Sequence, residues 1–251
     1  MSETLAPASA RARVLVILVA TLLMVALTAR LGVWQLDRAA QKATQQAMRD
    51  AVAGLPPLGA AELATAEADA AAQWHRPVVL RGLWLESHTV FLDNRQMNGR
   101  PGFFVLTPLQ PSGNGPPVLV QRGWIPRHSI ERTRIAPFVT PSQEVTVRGH
   151  IAPPPARLYE FAQAGEGAIR QNIDLDDFAR ETGLRLVPLT VLQDATPQNA
   201  GDGLLREWSP PASGIHKHYG YAFQWFALSA LTAGLYVWFQ LVTRWRRRRR
   251  A

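Results

Sequence analysis

The chain reads as two transmembrane α-helices bracketing a mainly-β extracytoplasmic domain, a small antiparallel barrel or sandwich of the α+β kind. Three observations predict this. An apolar run from Val14 to Leu31 opens the chain. A second run, Tyr221 to Val242, holds 22 positions without a charge, about what is needed to cross roughly 30 Å of hydrocarbon. Between them, short β-like runs are separated by turn residues. The expected segments are a cytoplasmic tail at 1–13, a first span at 14–36, a periplasmic domain at 37–217, a second span at 218–242 and an arginine-rich tail at 243–251.

The first run is flanked by Arg11 and Arg13, with Arg30 near its far end. If the helix extends to Leu36, Arg30 lies one to two turns inside that end and can snorkel to the surface. A cleavable signal peptide is the rival reading. The apolar part is long for such a peptide, and no clear A-x-A-like site follows it before the motif at Leu31 to Arg38, so an uncleaved anchor is expected. The helical pattern continues through Ala39 to Asp50 and breaks at Gly54-Leu55-Pro56-Pro57.

Strands are expected at Pro77–Leu85, Thr89–Asn94, Gly102–Leu109, Pro117–Ile125, Glu144–Ile151 and Leu189–Leu192. Asn98 to Gly102 is a turn, and Pro111 to Gly115 is a hairpin loop. One helix interrupts the strands, capped by Asp174, with Leu175, Phe178 and Ala179 on one face and Gly183 as its stop. Thr196 to Ser213, rich in Gly, Pro and Asp, is an irregular link to the second span.

The net charge of +8 sits in the tails. Arg244 and Arg246 to Arg250 supply +6 and the first thirteen residues +1, which leaves about +1 for everything between. Nucleic acid is therefore not an expected partner. The membrane is, and basic tails on both sides of the domain place both ends in the cytoplasm. The arginine tail, with no transit-like leader, points to a bacterial inner membrane as the location. The chain has no cysteine, which excludes disulfides, thiolate-bound copper, iron–sulfur centres and thiol redox chemistry. Neither a G-x-S-x-G elbow, a P-loop, an H-E-x-x-H pair nor a Rossmann glycine fingerprint is present, so no catalytic residue is assigned.

The second span carries the more informative pattern. At about 100° per residue, His218, Tyr221, Ala222, Trp225, Ser229, Thr232, Ala233, Tyr236 and Gln240 share a stripe, opposite Phe223, Leu231, Trp238 and Leu241. Thr21, Thr28, Gly32 and Gln35 share a face of the first span. Two helices packed through small and hydroxyl residues account for most of these positions. His218 falls at the outer boundary of its span, with Gln35 and Arg38 at the matching level of the first. A neutral imidazole there suits an axial ligand to haem iron, and Arg38 with Lys42 suits propionates. The competing account is a polar anchor beside Tyr and Trp. His216 with His218 is a weak copper signal. Arg95 and Arg122 each sit at a strand end beside a turn, either paired inside the domain or presented to a partner.

Four segments in this order resemble the Surf1 (Shy1) family of cytochrome oxidase assembly factors. They are LGVWQLDRAAQK at 31–42, LDNRQMNGRPGFFVLTPL at 92–109, VLVQRGWIP at 118–126 and HYGYAFQWFAL at 218–228. The two bracketing helices match the family plan, and Gly54 to Gln73 is the least family-like part. The resemblance implies a non-catalytic role in maturing a haem–copper oxidase, with haem a handling at its catalytic subunit. His218 matches the family histidine, where two asparagines often precede it; here His216 and Lys217 do. The implied cofactor is transient haem a, with His218 as metal ligand and Tyr221, Trp225, Trp34, Gln35 and Arg38 as the surrounding contacts. The implied partners are the oxidase catalytic subunit, the membrane and, as a further candidate, haem a synthase. A structural scaffold without haem contact, or an anchored periplasmic enzyme, are the alternatives.

Overall fold

A computed structural model describes residues 7–113, 115–131, 133–159, 167–208, 214–242 and 245. The arginine tail, apart from Trp245 beside it, lies outside the described residues. The chain divides into two compact units. One is formed by Met1–Met48 with Ala212–Ala251, the other by Arg49–Pro211.

The first unit is a helix pair. Helix α1 runs unbroken from Pro7 to Ala53, 47 residues, or about 70 Å at 1.5 Å per residue. It absorbs both the first span and the helical continuation to Asp50, because neither glycine nor proline interrupts it except at Gly32. It ends where Gly54-Leu55-Pro56-Pro57 begins. The C-terminal helix, labelled α4 in chain order, spans Ile215–Tyr236 and passes into a π-helical end at Val237–Val242. Ala12–Ala53 and Ile215–Gln240 are both long and apolar enough to cross a membrane, with window hydropathies of 2.5 and 1.3. Large apolar side chains cover their outer faces, among them Leu15, Leu22, Leu23, Leu27, Phe223 and Leu231.

The second unit begins with a single helical turn, α2 (Glu67–Ala70), followed by strands and one longer helix. The strands are β1 (Pro77–Trp84), β2 (Val90–Met97), β3 (Arg100–Pro111), β4 (Val118–Pro126), β5 (Val145–Ala152), β6 (Ile169–Arg170) and β7 (Thr190–Gln193). Helix α3 (Leu175–Thr182) lies between β6 and β7. All six expected strands form, with ends shifted by at most three residues, and β6 is an addition too short to leave a pattern.

The strands make one seven-stranded sheet in the order β1-β5-β7-β4-β3-β2-β6, and β1 pairs a second time with the far end of β3. The expectation of a mainly-β domain between two helices holds, and of its two forms, barrel or sandwich, the antiparallel barrel is not the one formed. β4–β7 and β2–β6 are parallel, so this is a mixed sheet, not a closed antiparallel barrel. The physical reason is the length of the connections. β7 and β6 return after long excursions, which lift the antiparallel constraint that a tight hairpin imposes.

The hairpin between β2 and β3 is tight. Asn98 and Gly99 have φ of 52° and 74°, and Met97 faces Arg100, the geometry of a two-residue type I′ loop. Arg100, Pro101 and Gly102, expected in the turn, belong to β3. Within the Pro111–Gly115 loop, Asn114 lies outside the described residues.

Strand β4 is the centre. Its burial is continuous from Val118 to Ile125, and its side chains alternate between cores. Val118 and Val120 join Val78, Leu80, Val147, Ile151 and Val191 on one side. Leu119 joins Leu92, Leu106 and Phe178 of α3 on the other. Asp174 caps α3 by accepting from the backbone N–H of Asp176 and Asp177, at 3.1 and 3.2 Å, and Gly183 ends it with φ of 70°. The link after β7 is less irregular than its composition suggests. Leu205 exchanges two backbone bonds with Trp124, of 2.7 and 2.9 Å, and a Cβ at Gly123 would lie 2.7 Å from Leu204.

Two outcomes check this packing. A Cβ at Gly102 would sit 2.2 Å from the Ile125 carbonyl and 2.4 Å from the Trp124 ring, whereas nothing lies within 4 Å of one at Gly115. Gly102→Ala is expected to lower stability by about 1–3 kcal/mol, read as a fall in Tm, with Gly115→Ala near neutral. The second outcome concerns acid. A hydrogen bond from Arg170 holds the Glu181 carboxyl below its ordinary range, over an opposing effect of burial. That contribution is present above the ordinary glutamate range and is lost as pH falls through the lower, folded value. Glu181→Gln should therefore remove part of the acid-side loss of Tm and leave the neutral side unchanged in slope.

Candidate functional site

The helix pair is joined along a seam with heptad spacing. On α1 a line of less exposed positions runs through Val14, Leu18, Thr21, Val25, Thr28, Gly32, Gln35, Ala39 and Lys42 in alternating steps of four and three, with Ala29, Leu31 and Ala43 partly covered beside it. On α4 they are Ile215, His218, Ala222, Trp225, Ser229, Thr232 and Tyr236, again in steps of three and four. A strict 3.5-residue repeat on both helices is the mark of left-handed, coiled-coil-like packing. The helices run antiparallel, since His218 meets Gln35 near one end and Ser229 meets Val25 farther along.

Small residues set the approach. Thr28, Gly32, Ala39, Ala222 and Ser229 are buried in the seam. The ring of Phe226 rests on Gly32 so closely that a Cβ there would lie 2.8 Å from it. Ser229 donates to the Val25 carbonyl at 3.2 Å, and Thr28 donates to the Met24 carbonyl of its own helix at 2.8 Å. This is the small-and-hydroxyl packing that the stripe analysis expects.

At one end of the seam His218 Nδ1 and Gln35 Oε1 are 2.7 Å apart. An amide oxygen can only accept, so Nδ1 carries the proton and Nε2 holds the lone pair. The bond joins the two helices directly, between a half-buried imidazole and a buried amide. One turn along α1, Arg38 is exposed and donates to Gln41 at 3.0 Å. Lys42 reaches the start of α4, where a Cβ at Gly214 would lie 3.4 Å from its Nζ.

The six residues singled out in the sequence thus occupy three settings. Gln35 and His218 are bonded to each other, and Trp225 is half-buried in the seam two turns further along. Trp34 and Tyr221 stand outside the seam, each 51% exposed. Arg38 faces solvent. Tyr221 lies at the edge of the stripe, about 60° round the helix from His218, and the packed seam passes through His218 and Ala222 instead. The Gln35–His218 bond itself was not legible beforehand; spacing places the two at one level but does not orient either side chain.

His216 and His218, two residues apart on a helix, point to different sides and cannot close on one ion. Among the described residues no group of three His, Asp or Glu could hold a metal ion. A metal held here by His218 must therefore bring its other ligands with it.

Arg95 and Arg122 are neither ion-paired nor presented outward among the described residues. Arg122 is 1% exposed and lies between the rings of Trp84 and Phe138, at 4.5 and 5.4 Å. It donates to Thr140 Oγ1 and to the Val139 carbonyl, at 2.7 and 2.9 Å. Burial pushes its guanidinium down to about 10, with Arg206 adding to that and Asp202 and Glu86 opposing it, and it still carries charge at neutral pH. Arg95 donates to the carbonyls of Ala156 and Gln171, at 2.7 and 2.9 Å, and burial lowers its guanidinium too. Both fasten long loops to the sheet.

The family model of SURF1 matches residues 22–230, from the middle of α1 to the middle of α4. The chain belongs to the SURF1 family. Cytochrome oxidase assembly protein SHY1 of Saccharomyces cerevisiae is similar at 27% identity over 170 residues, 65% of this chain. The match covers 43% of the yeast protein, so this SURF1-family chain spans less than half the length of that relative. The match to the family model includes Gln35, the buried arginines and His218.

The register of the helix pair can be checked in a chain that has no native cysteine. Thr28 and Ser229 share a level of the seam, so Thr28→Cys with Ser229→Cys should cross-link on mild oxidation. Thr28→Cys with Phe223→Cys should not, because Phe223 is 74% exposed on the outer face. Gel mobility before and after reduction reads both.

Proposed function

We propose that this protein is a membrane-anchored, non-catalytic assembly factor for a haem–copper cytochrome oxidase, and that its helix pair receives haem a at His218. Membership of the SURF1 family and the similarity to a cytochrome oxidase assembly protein support the first part. The single observation that carries the second is the His218–Gln35 bond, which leaves Nε2 as a lone-pair nitrogen at the end of the seam.

The donor set fits haem better than a bare ion. One imidazole is too little for a protein-built metal site, but would suffice for haem, whose porphyrin brings the other iron ligands with it. Arg38 and Lys42 offer positive charge on the following turns of α1, suited to propionates. The aromatic rings of Trp34 and Tyr221 are exposed on the outer helix faces, where an apolar macrocycle or lipid can cover them. Haem bound here would supply iron for the oxidase to use. The chain's own task is to hold that cargo at a fixed depth and release it.

The membrane reading follows from two helices whose outer faces are apolar over about the length of a hydrocarbon core. In this reading the antiparallel helices cross the bilayer in opposite directions. The six arginines after Thr243 (at 244 and 246–250) support a cytoplasmic side next to them, with the sheet unit in the periplasm of a bacterial inner membrane. The catalytic subunit of the oxidase is the partner that this arrangement serves, with haem a synthase as the source of cargo.

The test is an absorption spectrum of detergent-purified protein from cells able to make haem a, wild type beside His218→Ala. The expected result is a Soret band in the wild type that falls at least tenfold in the variant at equal helix content. A wild type that co-purifies with the oxidase subunit and shows no Soret band makes the protein a scaffold instead.

A further inference from the structure

Gln35 is the feature of the seam that packing does not explain. The other small or hydroxyl residues along α1 let the helices approach, whereas Gln35 places a long, buried amide at the interface. A hydrogen bond between membrane helices adds only modest stability, because separated helices find other partners for the same groups. That is small beside the packing of a seam that also includes Gly32, Phe226 and Ser229, so holding the helices together is a weak reason for the amide. Orientation is a better one.

An unpartnered histidine is free to turn its ring and to carry its proton on either nitrogen. Which nitrogen is protonated is set by the hydrogen bond that the other makes. At 2.7 Å, Oε1 of Gln35 fixes both choices at once: the ring plane must bring Nδ1 to the amide, and the proton must stay there. Nε2 is then always the basic nitrogen, on the side of the ring away from Gln35. Gln35 itself is held by its place in a long, unbroken helix with Gly32 and Ala39 on the same face.

We propose that Gln35 is the positioning residue for His218: it locks the imidazole as its Nδ1–H tautomer and keeps the Nε2 lone pair available to an incoming metal centre. The tautomer lock stands on the geometry alone. Its use in holding haem rests on the function proposed above. A ligand histidine whose second nitrogen loses its partner typically binds its metal about 10- to 100-fold more weakly, which sets the size of the effect.

The experiment uses the full-length, haem-free protein in detergent, labelled with ¹⁵N-histidine. His218→Ala assigns the His218 resonances among the six histidines. In the wild type His218 should show a protonated Nδ1 and an unprotonated Nε2. Gln35→Met, which keeps the side-chain length but cannot accept, should show a mixture of tautomers. Gln35→Glu, which still accepts at that distance, should restore the Nδ1–H form. Titration with haemin should then give an affinity 10- to 100-fold lower for Gln35→Met than for wild type, with Gln35→Glu near wild type.

A wild-type His218 protonated on Nε2 overturns the tautomer lock, whatever haemin does. A correct tautomer series with equal haemin affinity in wild type and Gln35→Met overturns the positioning role. If His218→Ala binds haemin as wild type does, the ligand assignment fails while the tautomer result is read separately. Helix content by circular dichroism, and the rescue by Gln35→Glu, separate all of these from a variant that has lost its fold.

Discussion

The close approach of two helices through small side chains is the constraint on which the rest of the helix pair depends. Membrane helices gain nothing from burying apolar surface against one another when lipid is just as apolar, so contact must come from packing and a few polar bonds. Gly32 under the Phe226 ring, and Ala39, Ala222 and Ser229 along the same seam, provide that packing. Only then does the amide of Gln35 come within 2.7 Å of an imidazole on the other helix. A Cβ at Gly32 would collide with Phe226 and separate the very turns that this bond connects.

The sheet unit solves a different problem with arginine. Long connections lead into β5, β6 and β7, and long connections are costly to order. Arg122 reaches from the central strand to Val139 and Thr140, and Arg95 reaches from β2 to Ala156 and Gln171. A guanidinium offers five donors in a rigid fork, so one buried side chain can satisfy carbonyls on separate segments. The lowered guanidinium values of both show what that burial costs, and the aromatic rings about Arg122 offset part of it. From sequence these residues could be paired inside the domain or presented to a partner, and the fold has used them internally.

The two units therefore call for different kinds of experiment. Substitutions in the sheet unit, whether at Gly102 or at the buried arginines, act first on folding. Substitutions at Gln35 and His218 break the one side-chain bond that joins Nδ1 of His218 to Gln35, and leave the apolar surface of the helices as it was. A loss of the proposed function has a different meaning in the two cases, and helix content together with Tm distinguishes them.

Composition and period alone determined the two apolar helices, the absence of thiol chemistry, six of the strands, a turn at Asn98-Gly99 and the Asp174–Gly183 helix. Each of these depends on interactions between residues close in the chain: hydrophobic period, turn chemistry and capping. The level of His218 opposite Gln35 was legible too, because helical rise converts sequence distance into depth. What the tertiary structure decided is everything set by contacts distant in sequence. It paired β4 with β7 and β2 with β6 in parallel, drew Leu205 onto Trp124, and took Arg95 and Arg122 into the interior. It left Tyr221, at the edge of the stripe, outside the packed face. Above all it joined Nδ1 of His218 to Gln35, residues 183 positions apart. No local pattern encodes a bond of that span; it exists because two helices can approach only where their side chains are small.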